Sequence, residues 1–245
     1  MLKNIESRIG FFPLSGQGSF ILKKAKEKNI YLMNFSDIVK EVLDSTQNSN
    51  EEIYSEGSSP ILNLGYFKYY DTTDSVINHP SGEVLICLNQ EELLNKNKNL
   101  EITLKKSNGY CEKEENKNGW FLSNEKEEAE EIYNQLKRSK NVIIVPKNEL
   151  EKSGVYKTKE EALNSEVLRF LFRDKNLHKE FVDYFFKTIE NEKLNKYGMP
   201  IFFGKTFSNI PEIGVIRLGN FRTRAYLIRG GDDKNRRYSF FGKIV

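Results

Sequence analysis

The chain is predicted to fold as an α/β (or α+β) protein, with a central mixed β-sheet flanked by helices and a β-rich C-terminal segment. Three observations carry that prediction. Two stretches, Asn124–Arg138 and Thr158–Leu194, place apolar residues at the three- and four-residue spacing of amphipathic helices. Short apolar runs with strand character, Glu83–Leu88 and Val142–Val145, lie before and between them. The stretch from Ile201 onward loses helical spacing altogether and breaks into four apolar runs separated by Gly-containing turns. At 245 residues, 38% of them hydrophobic and with 17 Phe and 12 Tyr, the chain can bury one substantial core.

In chain order, residues 1–19 hold Gly10, Gly16, Gly18 and Pro13 and read as an irregular or short-stranded entry. From Ser19 to about Asp44 the spacing of Ile21, Leu22, Ala25, Ile30, Leu32, Phe35, Ile38, Val39, Val42 and Leu43 predicts two helical pieces, the second opened by Ser36. STQNSNEEIYSEGSSP, 45–60, reads as a surface loop. Ile61–Tyr70 is a predicted strand ending in Asp71-Thr72-Thr73-Asp74, and His79-Pro80-Ser81-Gly82 is a turn that delivers the chain to the Glu83 strand. Leu100–Lys105 alternates apolar with polar residues as a half-buried strand does. The polar stretch SNGYCEKEENKNGW that follows reads as a loop able to move over a ligand, with Tyr110 and Trp120 either stacking on a base or anchoring the loop. The next helix has Asn124 as its N-cap, acids in its first turns, and Lys137 and Arg138 at its end, as the helix dipole favours. Val142–Val145, wholly apolar, reads as a buried central strand. The apolar stripe of Thr158–Leu194 is interrupted near Arg173-Asp174-Lys175-Asn176, which predicts two or three helices, ended by Gly198 and Pro200.

Several classes are disfavoured. MLKNIESRIGFF lacks an apolar core of signal-peptide length, and no stretch approaches the ~18 consecutive apolar residues of a membrane span, so a cytoplasmic, membrane-free protein is expected. Cys87 and Cys111 cannot build a disulfide framework, nor a four-ligand zinc site even with His79 and His178. His178 is expected to be structural or at the surface, and Cys87 to be a small apolar residue.

Two groups of residues point to chemistry. On the strand 100–105, Glu101, Thr103 and Lys105 share one face, while Glu83 opens the preceding strand. Two carboxylates able to share a divalent cation, beside a lysine that orients water, are what metal-dependent phosphodiester hydrolysis needs; a solvated sheet face has the same appearance. The second group is basic. Lys196–Val245 carries ten Lys or Arg against three acids, a balance of +7, and leaves the first 195 residues at −4 in a chain of net +3. Arg217, Arg222, Arg224, Arg229, Arg236 and Arg237 are all arginine, suited to bidentate contacts with phosphate or guanine, and on a strand Asn220–Ile228 the side chains of Arg222, Arg224 and Tyr226 would share a face. A basic face balanced by acids elsewhere is the alternative.

The order through residue 147 is helix, strand, strand, strand, helix, strand, with acids on the second strand and an acid and lysine on the third. This resembles the PD-(D/E)xK nuclease core. Asn191-Glu192, Tyr197-Gly198, Arg229-Gly230-Gly231-Asp232 and Tyr238-Ser239-Phe240-Phe241-Gly242-Lys243-Ile244 extend the resemblance to the small type II restriction endonucleases of that superfamily, over about residues 75–110 and 190–245. The chain departs from the family pattern in having Thr103 where the lysine should stand, with Lys105 two residues further on, and in leaving Asp71, Asp74 and Glu83 all placed as the first acid. The resemblance implies a single domain, 1–150 as catalytic core, 151–200 as helical segment and 201–245 as basic DNA-contacting segment. It implies a sequence-specific double-stranded DNA endonuclease in which Glu83 and Glu101 bind Mg²⁺ and Lys105 positions the attacking water. A companion DNA methyltransferase is an implied partner, and the enzyme would be a monomer or homodimer. A metal-independent restriction-type DNA glycosylase, using the Arg/Tyr surface, and a non-catalytic nucleic-acid-binding protein are the rival expectations; RNA in place of DNA stays open.

Overall fold

The computed structural model of the chain describes residues 12–16, 27, 29–48, 69–88, 120–123, 125–150, 155–191, 198–203, 209–221, 224–230 and 238–244. Its strands are β1 (Phe12–Gly16), β2 (Ile30–Leu32), β3 (Tyr69–Asn78), β4 (Val84–Cys87), β5 (Trp120–Phe121), β6 (Val142–Ile144), β7 (Val155–Tyr156), β8 (Met199–Phe202), β9 (Glu212–Phe221), β10 (Arg224–Gly230) and β11 (Tyr238–Ile244). Its helices are α1 (Phe35–Asn48), α2 (Lys126–Leu136), α3 (Lys147–Leu150), α4 (Lys159–Asn164), α5 (Glu166–Phe172) and α6 (Lys175–Asn191). The strands form one mixed sheet in the order β1-β11-β3-β9-β10-β8-β7, with β2 on β11, β4 on β3, β6 on β4 and β5 on β9. Two pairs, β3 with β11 and β8 with β10, are parallel, and the other pairs are antiparallel. The α/β class with a mixed sheet and helical flanks is therefore the observed one.

Alternation along the strands splits the burial between two faces. Val76 of β3, Val84 and Ile86 of β4, and Ile216 and Leu218 of β9 join one core with Phe35, Ile38 and Val39 of α1, Leu168, Leu171 and Phe172 of α5, and Phe181, Val182 and Phe185 of α6. Phe172 lies edge-on to Phe35 at 5.1 Å and tilted against Phe181 at 5.4 Å. Each fully buried side chain of this size contributes roughly 1.5–3 kcal/mol of transfer free energy, so this layer dominates the stability. Ile77, Leu85, Cys87 and Ile213 alternate with the first set and are buried on the other face. There Ala129, Ile132, Tyr133 and Leu136 of α2 are buried as well, and Tyr133 reaches the β3–β4 corner through its hydroxyl.

Helix starts follow from local hydrogen-bond chemistry. Asn34, not Ser36, caps α1: Asn34 Oδ1 accepts from Asp37 N and Asp37 Oδ2 accepts from Asn34 N, a reciprocal box that satisfies two orphan donors. Ser36 instead donates to the carbonyls of Leu171 and Phe172, tying α1 to the end of α5. Of the first helical piece expected from Ser19, Glu27 is described and is helical, and the chain then enters the short strand β2 before α1. Thr158 and Glu161 form a capping box on α4, Ser165 caps α5, and Asp174 Oδ1 accepts from Asn176 N and Leu177 N at the start of α6. The break expected near Arg173 is a left-handed residue, φ 58°, so the long helical region is three helices. His178 is buried, as a structural residue: its Nε2 lies 3.1 Å from Ala162 O.

Several sequence expectations need correction. Val142–Ile144 is not a central buried strand. Among the described strands it pairs with β4 alone, it is half-buried, and Ile144 is 43% exposed. An apolar run by itself does not distinguish a covered strand from an edge one. Asp71–Asp74 does not end a strand but lies inside β3, where the register against β9 slips between Asp71 and Ser75. Asn124 is not the N-cap of α2; Glu125 holds that position and its N–H is accepted by Ser123 Oγ. Asn220–Ile228 is not one strand: β9 runs to Phe221, β10 starts at Arg224, and these two residues pair in an antiparallel ladder. Gly198 precedes β8 at φ 60°, where a Cβ would stand 2.5 Å from Tyr156 O. Residues 100–107, and with them the expected strand of Glu101, lie outside the described residues, as do the loop through Gly119 and Tyr110.

Candidate functional site

Two of the acids placed as metal ligands, Asp74 and Glu83, have protein partners. Asp74 is fully buried in mid-β3. Its Oδ2 accepts from Phe35 N, the first N–H of α1, at 2.8 Å, and its Oδ1 is paired with the Arg173 guanidinium. This is a carboxylate at a helix N-terminus with a cationic lid, a structural arrangement. Glu83 stands just before β4, about a third exposed, and its Oε1 accepts from Lys137 Nζ at 2.6 Å and from Tyr133 OH at 2.7 Å. Partial burial pushes its carboxyl upward, but the hydrogen bonds from Lys137 and Tyr133 and the lysine charge outweigh that and hold it below the usual range. Tyr133, buried and bonded to that carboxylate, has its own ionisation pushed far up, by burial first and by Glu83 next. A lysine beside Glu83 thus comes from just past α2. Glu101 and Lys105 lie outside the described residues. Among the described residues no group of three or more His, Cys, Asp or Glu is placed to hold a metal ion.

The register of the C-terminal strands sorts the arginines. Arg217 pairs with Ile228, Gly219 with Tyr226 and Phe221 with Arg224, so the positions of Arg217, Arg224 and Tyr226 fall on one face of the β9–β10 hairpin. Arg229 pairs with Ile216, the face that joins the helical core, and so falls on the opposite side. Asp71 of β3 is the register partner of both Arg217 and Phe240, which puts an acid position beside the arginine on the same face. Arg222, Arg236 and Arg237 lie outside the described residues. Trp120 belongs to β5 and pairs with Ile213, so its place is a strand position and not the loop expected.

The constellation that sequence reasoning missed surrounds His79. Its Nδ1 lies 2.7 Å from Ser81 Oγ and 3.1 Å from Ser81 N. Its Nε2 lies 2.9 and 3.1 Å from the two oxygens of Glu130, and its ring stacks on Tyr133 at 4.5 Å. The His-Pro-Ser-Gly run signalled only a turn. Glu130, 51 residues on, has no sequence signature that would join it to His79.

No family model and no curated protein matches this chain. A solved structure, reported as "Accommodation of massive sequence variation in Nanoarchaeota by the C-type lectin fold", is similar to it in fold, with a TM-score of 0.51 at 12% identity over 96% of this chain and 98% of that one. The likeness is one of fold.

Proposed function

We propose that the chain is a nucleic-acid-binding protein that does not cleave its partner and meets it with the face of the β9–β10 hairpin carrying the positions of Arg217, Arg224 and Tyr226. The observation that supports this most is the register itself, which groups two arginines and a tyrosine on the face turned away from the helical core. Guanidinium groups suit phosphate and an aromatic ring suits a base face. The structural neighbour's fold is reported to accommodate massive sequence variation; a scaffold of that kind can present a binding surface on an unchanged core.

The test is duplex affinity by fluorescence anisotropy against ionic strength, for DNA and for RNA. The logarithm of affinity should fall linearly with the logarithm of salt, and Arg224→Ala should shallow that slope by about one. Affinity that ignores Arg224 and Arg217, or ignores salt, would sink the proposal. A second reading, the Mg²⁺-dependent restriction endonuclease, is favoured by one specific feature: an acid, Glu83, lies 2.6 Å from a lysine, Lys137. Incubation with unmethylated DNA in Mg²⁺ and in EDTA separates the readings. Discrete fragments in Mg²⁺ alone, lost in Glu83→Gln, support the endonuclease; strand breaks in EDTA that need alkali support base excision; intact DNA with retained affinity supports the binder.

A further inference from the structure

The Ser81–His79–Glu130 constellation has a defined proton polarity. Ser81 N can only donate, so at 3.1 Å it fixes His79 Nδ1 as an acceptor with a bare lone pair. The ring proton then sits on Nε2, directed at Glu130 at 2.9 Å. Ser81 Oγ, 2.7 Å from the same Nδ1, therefore donates its hydroxyl proton to it, and its lone pair receives Glu83 N at 3.4 Å. The turn does not need these side chains to close, because His79 N donates to Glu83 O and Gly82 N donates to His79 O, both at 2.9 Å. The base is sheltered and the hydroxyl is not: the His79 side chain is 17% exposed, between Glu130 and the Tyr133 ring, whereas Ser81 is exposed.

We propose that Ser81 is a nucleophilic serine that accepts acyl groups from activated esters, with His79 as its general base and Glu130 as the residue that positions His79. A hydroxyl hydrogen-bonded to an imidazole that is itself oriented by a carboxylate is the arrangement that activates serine. In the step, Ser81 Oγ bonds to the acyl carbon while its proton passes to His79 Nδ1. The ester C–O bond breaks and the departing alkoxide takes that proton, leaving acyl-Ser81, an alcohol and neutral His79. Gly82 N–H is committed to His79 O and position 80 is proline, so no pair of backbone N–H groups is free in the turn to hold an oxyanion. Capture of the acyl group in a single turnover is accordingly the expected behaviour, in place of rapid hydrolysis.

The experiment is labelling of the full chain with p-nitrophenyl acetate and with a fluorophosphonate, read as p-nitrophenol release and as intact and peptide mass. One acetyl or phosphonyl group should appear on Ser81. Ser81→Ala should abolish it, and His79→Gln should slow it about 100-fold, with unchanged circular dichroism and melting temperature establishing that each variant is folded. Glu130→Gln should slow labelling in a folded protein and Glu130→Asp should restore part of the rate, a rescue that a merely structural role for Glu130 would not give. Should His79→Gln unfold, His79→Asn with the same mass readout replaces it. Label on another residue, equal labelling of Ser81→Ala, or wild-type rates in folded His79 variants would overturn the assignment.

Discussion

Replacing either member of the Asp74–Arg173 pair should cost stability, and unequally. The Asp74 side chain is wholly buried, whereas Arg173 keeps 30% of its side chain exposed. Breaking a buried pair by removing one partner typically costs 3–5 kcal/mol, most of it from the charge left behind. Asp74→Ala leaves the guanidinium, which reaches water, and removes the acceptor of Phe35 N at the start of α1; a loss near the lower end, about 3 kcal/mol, follows. Arg173→Met leaves a carboxylate with no water to turn to, so the loss should lie toward the upper end, about 4–5 kcal/mol. For a chain of this size 1 kcal/mol corresponds to roughly 2–4 °C in melting temperature, so Asp74→Ala should melt about 6–12 °C lower and Arg173→Met lower still. Urea unfolding followed by circular dichroism measures both, and the double variant should lose less than the sum of the two. If Asp74→Ala proves worse than Arg173→Met, or if Asp74→Asn leaves stability intact while abolishing a nucleic-acid activity, the structural role derived for this acid is wrong and Asp74 belongs to the chemistry.

Gly198→Ala should cost about 2–4 kcal/mol, since the left-handed backbone is strained for alanine and the new Cβ would press on Tyr156 O at 2.5 Å and Val155 Cγ1 at 2.8 Å; a melting change under about 2 °C would refute this. His178 has its pKa lowered, by burial first, so it is neutral when folded and protonates more readily when unfolded. Its contribution is complete above the unfolded pKa of about 6.5 and is lost as pH falls from there toward the folded value, by at most about 1.4 kcal/mol per pH unit. The difference in unfolding free energy between the wild type and His178→Phe, measured from pH 7.5 to 5, should shrink as pH falls; a flat difference refutes it. Glu83→Gln, at a pair with each side chain about a third exposed, should shift stability by no more than about 1 kcal/mol, so any large effect on nucleic acid in that variant would be functional.

What the sequence made legible was the local physics. The apolar stripe of 159–191, broken at Arg173-Asp174, and the β4 run bounded by Gly82 depend on neighbours within a few residues. The strands after residue 198 were recognisable for the same reason. What stayed hidden depends on pairing at long range. The edge position of β6 is set by its docking onto β4, Asp74 meets Arg173 across 99 residues, and Ser81 and His79 acquire meaning only when α2 brings Glu130 against them. Alternation along one strand was enough to put Arg224 and Tyr226 on a common face, whereas Arg217 joins them only through the pairing of β9 with β10.

The place of β11 in the sheet bears on how the molecule assembles. Residues 238–244 hydrogen-bond to β1 and β2, from the first 32 positions of the chain, and also to β3. During synthesis the strands β1 and β2 emerge more than 200 residues before that partner exists. Their edges must wait unpaired, and closing so long a loop is slow relative to local helix formation. A ribosome-arrested chain ending before Tyr238 should therefore show α4–α6 formed while β1 remains open to proteases or to another strand, which makes the final seven residues of the sheet the step that commits the fold.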